Sequence, residues 1–292
     1  MSEWNIQQAY PIEKYKLQPG EWISISQKLN GVHGTAMDGK MISRQGKIMS
    51  GFENTILAEL TQLGYKDWFV DGELICANID GKSDEENFRR TTSIVNSKQD
   101  ESKQMIDFYV YEILTKDEFE NGCSLTYKER LKRLEEFERQ AENCEWIRVV
   151  PRYYQGTDHS YIKGCLAATD TLGLEGCIVN RDTLYKRCRN NGVLKVKTWK
   201  HCDLKVIDVE EGKGKYKGKT GKLVVDYKGN KLRLSGMSDD ERAQFWQHPE
   251  DIIGKIVLVK YKTESHNKKG EASLNFASYI CVRADKDEPS YN

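Results

Sequence analysis

The signals for secondary structure change once along the chain, at about residue 201, and this change constrains the fold most strongly. Before it, helical patterns interleave with strand-like runs, which is typical of an α+β domain. After it, short strand-like runs alternate with glycine-rich turns, and one helix begins at Ser238 with a capping box. Such a segment fits a small all-β barrel of the OB type. We therefore predict an α+β domain over 1–200 and an OB-fold domain over 201–292.

Local patterns predict the individual elements. Isoleucine alternates with serine over 22–28, which predicts a strand. Apolar residues at helical spacing predict a helix over 52–63, and capping boxes predict helix starts at Ser83 and Thr126. Further strand-like runs lie at 68–77, 106–114, 176–180, 193–198, 203–209, 221–227, 231–235 and 256–261.

The composition excludes several classes of protein. No run approaches the ~20 apolar residues that a membrane-spanning helix needs, and the mean hydropathy is −0.71. Lys+Arg and Asp+Glu balance at 45 each, so the net charge identifies no partner and any basic surface must be local. The first residues show neither a basic n-region nor an apolar h-region, so we expect no signal peptide.

The eight cysteines are scattered and include no Cys-x-x-Cys pair. Zinc sites and redox motifs depend on close spacing, and disulfide frameworks are typical of small secreted chains. We therefore predict free thiols in a reducing cytoplasm and no metal cluster held by cysteine.

Several short polar motifs have ordinary explanations when each is taken alone. Lys28 fits a solvated lysine before a turn, and Asp71 and Glu73 flank a glycine as in a common turn. Lys195 and Lys197 project from the same face of a predicted strand. Their mutual repulsion is relieved either by water or by a bound anion, such as a phosphate.

The order of these motifs is more informative than any one of them. In chain order they are Lys28-Leu29-Asn30-Gly31, Ser43-Arg44-Gln45-Gly46, Asp71-Gly72-Glu73-Leu74-Ile75, 108–114, 174–179 and Leu194-Lys195-Val196-Lys197. This series resembles the nucleotidyltransferase motifs of the covalent nucleotidyltransferase superfamily, which contains ATP-dependent DNA ligases, RNA ligases and mRNA capping enzymes.

Two segments of the second domain resemble small ATP-dependent DNA ligases in particular, namely a basic loop at 211–218 and the closing segment 276–286. The whole resemblance extends from about residue 20 to residue 287 and implies an α+β nucleotidyltransferase (adenylation) domain followed by a small all-β OB-fold barrel domain. Since 27 residues precede Lys28, we expect no N-terminal DNA-binding domain and no NAD-recognition domain. This expectation favours ATP and a minimal two-domain ligase of the phage or bacterial type, in a bacterial or phage-infected cytoplasm.

The resemblance implies a reaction in three steps. Lys28 attacks the α-phosphate of ATP and holds AMP as a phosphoramidate, AMP passes to the 5′-phosphate of a nick in duplex DNA, and the 3′-hydroxyl then displaces AMP. A lysine with the usual pKa of about 10.4 is protonated and cannot attack, so neighbouring cations must favour its neutral form. Lys195 and Lys197 are implied to supply this charge, together with bound metal.

The remaining site residues are implied by their match to the family motifs. Glu175 is implied to bind Mg²⁺ (or Mn²⁺), and Glu73 to hold the ribose and help to place the metal. Tyr111 falls where the family stacks an aromatic ring on adenine, a core tyrosine being the alternative. Further contacts are implied for Ser26 (adenine), Arg44 (the AMP phosphate or the 5′-phosphate), and Arg283 and Lys286 (pyrophosphate, in the first step).

Four residues depart from the family pattern. Asn30 stands where aspartate is commoner, and Ala277 and Ser278 replace the usual proline and basic residue of the last motif. His33 replaces an arginine, which weakens a fixed-charge contact with the ribose or the nick phosphate. Because the charge of histidine varies near neutral pH, we predict that nick affinity depends on pH.

DNA contact is predicted at a local cluster of lysines on the second domain. Residues 212–222 contain no acid and five lysines, which are Lys213, Lys215, Lys217, Lys219 and Lys222. Such a run is often only a solvated loop, but beside a nucleotidyltransferase core it indicates contact with the DNA backbone without sequence specificity. A second basic loop is predicted at 266–270. The expected partner is nicked double-stranded DNA, with no membrane and no obligate protein partner, and the expected state is a monomer.

Two other functions remain open at this point. An RNA ligase or a capping guanylyltransferase shares the covalent lysine and differs in its acceptor or its nucleotide. The basic loop and the closing segment argue against both. A non-catalytic OB-type nucleic-acid binder would retain the first domain only as a relic, and the intact set of Lys28, Glu73, Glu175, Lys195 and Lys197 argues against it.

Overall fold

The computed structural model describes residues 4–77, 80–97, 100–266 and 270–291. The chain divides into two compact units, Met1–Lys197 and Thr198–Asn292. Each unit contains a hydrophobic core of its own. Within the described ranges, every helix is too short or too polar to cross a membrane.

The first unit contains two sheets and several helices. Its strands are β1 (Gln8–Pro11), β2 (Ile23–Gln27), β3 (Val32–Met37), β4 (Lys40–Ser43), β5 (Ile48–Met49), β6 (Phe69–Cys76), β7 (Ile106–Leu114), β8 (Ile147–Val149), β9 (Arg152–Gly156), β10 (Cys177–Arg181) and β11 (Arg189–Val196). Its helices are α1 (Ile56–Gln62), α2 (Asp84–Val95), α3 (Lys116–Asn121), α4 (Tyr127–Gln140) and α5 (Ser160–Thr171). One sheet has the order β1-β11-β10-β2-β9 and the other β5-β4-β3-β6-β7-β8.

The six-stranded sheet buries one face in the main core of this unit. Leu74 on β6 and Phe108 on β7 are fully buried there, together with Leu60 of α1 and Phe137 of α4. Because side chains alternate along a strand, neighbouring positions such as Glu73 face the other side of the sheet. This alternation directs polar residues of β3, β6 and β7 away from the core.

The five-stranded sheet follows the same logic. Ile25, Val179 and Leu194 are fully buried in a second apolar cluster. On the alternate positions, Ile178 of β10 pairs with Ser26 of β2 on one side and with Lys195 of β11 on the other. Residues that are far apart in sequence are therefore aligned in one row across three strands.

The structure confirms the predicted helix starts and corrects one helix. Capping boxes are present at Ser83 and Thr126. The helix expected over 52–63 is limited to Ile56–Gln62. Residues 52–55 form a turn, in which the carbonyl of Phe52 accepts hydrogen bonds from the backbone N–H groups of Thr55 and Leu57. Phe52 is fully buried in this turn, so apolar spacing extends beyond the helix itself.

The second unit is built on a five-stranded sheet with the order β14-β13-β12-β15-β18. Its elements are β12 (Lys200–Glu211), β13 (Thr220–Tyr227), β14 (Asn230–Leu234), α6 (Asp239–Gln247), β15 (Ile256–Tyr261), β16 (Thr263–His266), β17 (Ala272–Asn275) and β18 (Ser278–Val282). A parallel bridge between Ser235 and Ser278 links the two edges of the sheet, and Ser238 caps α6 as predicted. In the basic loop expected at 266–270, Asn267, Lys268 and Lys269 lie outside the described residues.

Candidate active site

A cavity of about 350 Å³ is lined by residues from both sheets of the first unit. Its volume lies within the range of small-molecule sites, about 300–1,000 Å³. It brings together polar residues from separate sequence motifs, which are Ser26, Lys28, His33, Arg44, Glu73, Tyr111, Lys195 and Lys197. Pairing between distant strands therefore assembles most of the predicted catalytic and nucleotide-binding residues around one space.

Two lysines of the cavity share one carboxylate. Lys28 lies directly after β2, and its Nζ is 2.5 Å from Oε2 of Glu175. Lys197 follows β11, and its Nζ is 2.5 Å from Oε1 of the same residue. All three side chains are largely shielded from water, with exposures of 21% for Lys28, 14% for Glu175 and 19% for Lys197.

A glycine allows Glu175 to approach these lysines. Gly176 has a φ of +134°, and a Cβ atom there would lie 2.2 Å from the carbonyl oxygen of Val196. The carbonyl of Gly176 also accepts a hydrogen bond of 2.8 Å from the backbone N–H of Lys28. Only glycine permits the backbones to come this close.

The shared carboxylate is ionised in this environment. Burial acts to raise the pKa of Glu175, but the attraction of Lys28 and Lys197 outweighs it and lowers the pKa below its usual value. Lys195 lies nearby without such an acid. Burial lowers its pKa, and the surrounding cations, of which Arg189 contributes most, lower it further.

Glu73, an acidic residue that lines the cavity, behaves differently from Glu175. Burial raises the pKa of Glu73 to about 7, although His33 and Lys28 oppose this shift. A carboxylate in this state is only weakly compensated by its neighbours. It is therefore suited to accept a hydroxyl donor or a cation from a ligand.

His33 is held by an acidic residue that the motif alone did not single out. Its Nε2 lies 2.9 Å from Oδ1 of Asp71, and the hydroxyl of Thr35 donates to the same oxygen at 2.7 Å. The ring of Tyr111 lies 6.2 Å from that of His33, between centroids. Burial disfavours the charged ring, but Asp71 outweighs this effect and raises the pKa of His33.

Gln8 on β1 also lines the cavity, and the sequence analysis did not predict it. Oε1 of Gln8 accepts hydrogen bonds from Arg44 at 2.5 Å and from Arg189 at 3.0 Å. Gln8 pairs with Arg189 because β1 runs parallel to β11. A four-residue strand gives no periodic signal, so it was missed. The even spacing of Arg189 and Lys195 on one strand was the available hint for Arg189.

The structure gives a reason for the asparagine at position 30. The amide of Asn30 donates a hydrogen bond of 2.9 Å to Oδ2 of Asp84, in the first turn of α2. An aspartate there would place two carboxylates against each other. The departure from the family pattern is therefore matched by a local partner.

Arg283 and Lys286 belong to the second unit and do not line the cavity. Arg283 donates to Oδ1 of Asp203 at 3.0 Å, and Lys286 bonds its Oδ2. Asp203 is only 3% exposed, and Ser290 also donates to it at 2.9 Å. Both cations therefore bind an acidic residue of their own unit.

The predicted DNA-contact lysines lie on and beside the connection between β12 and β13. Lys213, Lys215 and Lys217 are exposed. Tyr216 lies between two cations, with Nζ of Lys215 4.6 Å and the guanidinium of Arg242 4.3 Å from its ring centroid. The other two predicted lysines are Lys219, which is half-buried, and Lys222, which is exposed and donates to Ser235.

Comparisons with known proteins agree with this architecture. A family model described as a DNA ligase OB-like domain matches residues 211–283. A curated DNA ligase of Haemophilus influenzae is 25% identical over 272 residues, which cover 92% of this chain and 89% of the relative. These matches support the resemblance in both units.

Solved structures show the same fold. A Lig E DNA ligase, from a study of DNA binding with a minimal scaffold, has a TM-score of 0.73 and 24% identity, covering 96% of this chain and 99% of that one. The ATP-dependent DNA ligase of bacteriophage T7 in complex with ATP has a TM-score of 0.55 and 17% identity, with coverages of 96% and 98%. The comparisons confirm the predicted fold class, an α+β nucleotidyltransferase domain followed by an OB-type domain, and the resemblance to minimal DNA ligases.

Proposed function

Because the chain resembles minimal DNA ligases over nearly its whole length, we propose that it is an ATP-dependent DNA ligase. It seals nicks between a 5′-phosphate and a 3′-hydroxyl in duplex DNA, through a lysyl-AMP and a DNA-adenylate. One observation carries the proposal most directly: Lys28 lies in a cavity with Glu73, Lys195 and Lys197, and shares Glu175 with Lys197.

Lys28 is the proposed nucleophile. Its Nζ attacks the α-phosphorus of ATP as a neutral amine, a phosphorus–nitrogen bond forms as the nitrogen releases a proton to water, and the bond to pyrophosphate breaks. AMP then passes to the 5′-phosphate of the nick, and the 3′-hydroxyl displaces AMP. Lys195 and Lys197 offset negative charge on the transferred phosphoryl group, so catalysis rests on positioning and electrostatics.

The other cavity residues bind the nucleotide in this proposal. Ser26 and Tyr111 contact adenine, Glu73 accepts a hydrogen bond from the ribose, and His33 lies beside them. Arg44 contacts a phosphate, either that of AMP or the 5′-phosphate of the nick. Arg283 and Lys286, carried by the second unit, orient pyrophosphate in the first step.

The carboxylates fit a divalent cation that is held jointly with substrate phosphates. Within the described residues, no group of three or more histidine, cysteine, aspartate or glutamate side chains is arranged to hold a metal ion by itself. Mg²⁺ is commonly bound by one or two carboxylates together with phosphate oxygens and water, and Glu73 and Glu175 provide two such carboxylates. When bound, Mg²⁺ or Mn²⁺ supplies positive charge to the phosphates.

The proposed macromolecular partner is nicked duplex DNA. The exposed lysines of the connection between β12 and β13 support contact with the phosphate backbone. We propose that the protein acts as a monomer in the cytoplasm. All eight cysteines lie in the described residues and carry free thiols, which fits a reducing compartment.

Adduct formation tests the proposal. The protein is incubated with Mg²⁺ and ATP labelled at the α-phosphate, denatured, and examined for bound label, with GTP and the variant Lys28→Ala as controls. We expect label from ATP that is lost in the variant and chases onto nicked DNA. Label from GTP alone indicates a capping enzyme, and no label from any nucleotide overturns the proposal.

A further inference from the structure

Two exposed arginines that line the cavity are fixed by a single neutral oxygen. Oε1 of Gln8 accepts from Arg44 at 2.5 Å and from Arg189 at 3.0 Å. Arg189 also donates to the carbonyl of Ala9 at 2.8 Å. Because both guanidinium groups bind the same atom, they are held close to each other in spite of their like charge.

These arginines belong to a cluster of cations without acidic partners. Lys195 lies on the same strand as Arg189 and lines the same cavity as both arginines. In the part of the chain that the structure describes, none of the three forms an ion pair with a carboxylate, whereas Lys28 and Lys197 both do. Arg44 and Arg189 are exposed, so water screens part of their repulsion, and an anion bound between them would relieve it further.

The choice of a glutamine at this point has an electrostatic consequence. An amide oxygen accepts hydrogen bonds from guanidinium groups without cancelling their charge. A glutamate would accept the same bonds more strongly, as a charge-assisted pair, and would neutralise one of the two arginines. Gln8 therefore orients Arg44 and Arg189 and leaves their positive potential available to a ligand.

We propose that Gln8 is a positioning residue that holds Arg44 and Arg189 for a phosphate group of the substrate. This inference rests on the proposed function and extends it to β1. That strand lies outside the sequence motifs, but its Gln8 holds two of the three clustered cations in place. The phosphate comes either from the nucleotide or from the 5′ end of the nicked strand. The two sources share the same chemistry, and the experiment separates them.

Two variants at one position test the role, with a matched control. Gln8→Glu keeps the acceptor and removes net positive charge, whereas Gln8→Ala removes the acceptor and keeps the charge. Gln155→Glu adds the same charge on β9, at the opposite edge of the same sheet, where the side chain is exposed. Thermal unfolding of each variant monitors the fold independently of activity.

Activity is measured in two arms on the full-length protein. The first is the rate of lysyl-AMP formation from labelled ATP, with KM and kcat determined separately. The second is the sealing of a nick that already carries AMP on its 5′-phosphate, which bypasses the first step. We expect Gln8→Glu to lose at least about tenfold in one arm or both, Gln8→Ala to lose less, and Gln155→Glu to match the wild type.

The proposal is decided by which of the two Gln8 variants loses more activity. A merely structural role predicts that Gln8→Glu, which keeps both hydrogen bonds, is the milder change. Greater loss in Gln8→Glu at undiminished melting temperature supports the proposal. Loss confined to the first arm assigns the phosphate to ATP, and loss confined to the second assigns it to DNA. Equal activity of Gln8→Glu and the wild type, or greater loss in Gln8→Ala, overturns it.

Failure of this inference is distinguishable from failure of the proposed function. Binding of inorganic pyrophosphate is measured by calorimetry for the wild type and for each Gln8 variant, and it requires no covalent chemistry. If the wild type forms no adduct, the ligase assignment fails. Weaker pyrophosphate binding by Gln8→Glu than by Gln8→Ala still supports the positioning role, and equal binding by all forms, with both activity arms unchanged, contradicts it.

Discussion

Nζ of Lys28 lies 2.5 Å from Oε2 of Glu175, although 147 positions separate the two residues. The other oxygen of this carboxylate binds Lys197 at the same distance. One acid therefore balances two partly buried cations, one of which is the proposed nucleophile. Because of this ion pair, the contribution of Lys28 to stability can be tested separately from its contribution to catalysis.

Replacing Lys28 by arginine tests that separation. Lys28→Arg keeps a positive charge beside Glu175, but the guanidinium does not supply a neutral amine because its pKa exceeds about 12. We expect complete loss of the labelled adduct and little change in melting temperature. Lys28→Ala is the comparison, with the same loss of adduct and a lower melting temperature. Retention of adduct in Lys28→Arg would show that the nucleophile lies elsewhere.

Removing the charge of Glu175 leaves Lys28 and Lys197 without their shared partner. We expect Glu175→Gln to lower the free energy of unfolding by about 1–2 kcal/mol, less than for fully buried pairs because the groups are partly hydrated. Pyrophosphate should restore more stability to this variant than to the wild type. Urea unfolding with and without pyrophosphate measures both effects.

The exposed pair of Glu136 and Arg139 provides the control for this experiment. Glu136→Gln is expected to change the free energy of unfolding by less than about 1 kcal/mol. It should also show no special response to pyrophosphate. Equal behaviour of the two variants would contradict the role given to Glu175.

The pairing of His33 with Asp71 predicts a pH dependence of stability. Because the pKa of His33 is raised in the folded state, its contribution is fully present below the unfolded pKa of about 6.5 and is lost as the pH rises through the folded pKa. We expect the stability advantage of the wild type over His33→Gln to shrink by on the order of 1 kcal/mol across this range.

Urea unfolding of the nucleotide-free protein from mildly acidic to mildly alkaline pH measures this difference. The exposed pair of His248 and Glu250 supplies the control, since an ion pair in solvent contributes little and His248→Gln should differ from the wild type by less than about 1 kcal/mol. A difference between the wild type and His33→Gln that stays constant with pH would contradict the ion pair. The pH dependence of nick affinity stays a separate prediction of the sequence.

Asn30 and Asp84 allow a charge swap across one hydrogen bond. Asn30→Asp places two carboxylates in contact and should lower the free energy of unfolding by about 1–2 kcal/mol. The double variant Asn30→Asp with Asp84→Asn restores a donor opposite an acceptor and should recover most of this loss. A double-mutant cycle by urea unfolding gives the coupling, and the absence of any coupling would argue against the contact.

The lysines between β12 and β13 should matter for DNA and not for ATP. We expect Lys213, Lys215 and Lys217, all replaced by glutamine, to weaken binding of nicked DNA and to reduce the slope of affinity against salt by as much as about three. Adduct formation should be unchanged. Fluorescence anisotropy at several salt concentrations measures the binding.

The matched control for this test replaces three exposed lysines of the first unit, Lys66, Lys132 and Lys163, by glutamine. It removes the same net charge from the protein. If this control weakens DNA binding to the same extent, overall charge rather than the loop accounts for the effect.

Much of the fold followed from local patterns in the sequence. The capping boxes at Ser83, Thr126 and Ser238 are present in the structure, because a cap depends on residues only three positions apart. The helix over 52–63 was predicted too long, since the turn that buries Phe52 keeps the same apolar spacing as a helix. Periodicity describes which face is buried and does not by itself identify the backbone conformation.

The sequence by itself determined which residue types the candidate site contains, because the order of its motifs singles out Lys28, Glu73, Lys195 and Lys197, and all four line one cavity. Only the tertiary structure decided which cations are paired with an acidic residue and which are not. Glu175 binds Lys28 and Lys197, Asp71 binds His33, and Gln8 holds two arginines through strands that pair across most of the unit. Such contacts depend on the register between distant strands, and no local pattern of residues encodes that register.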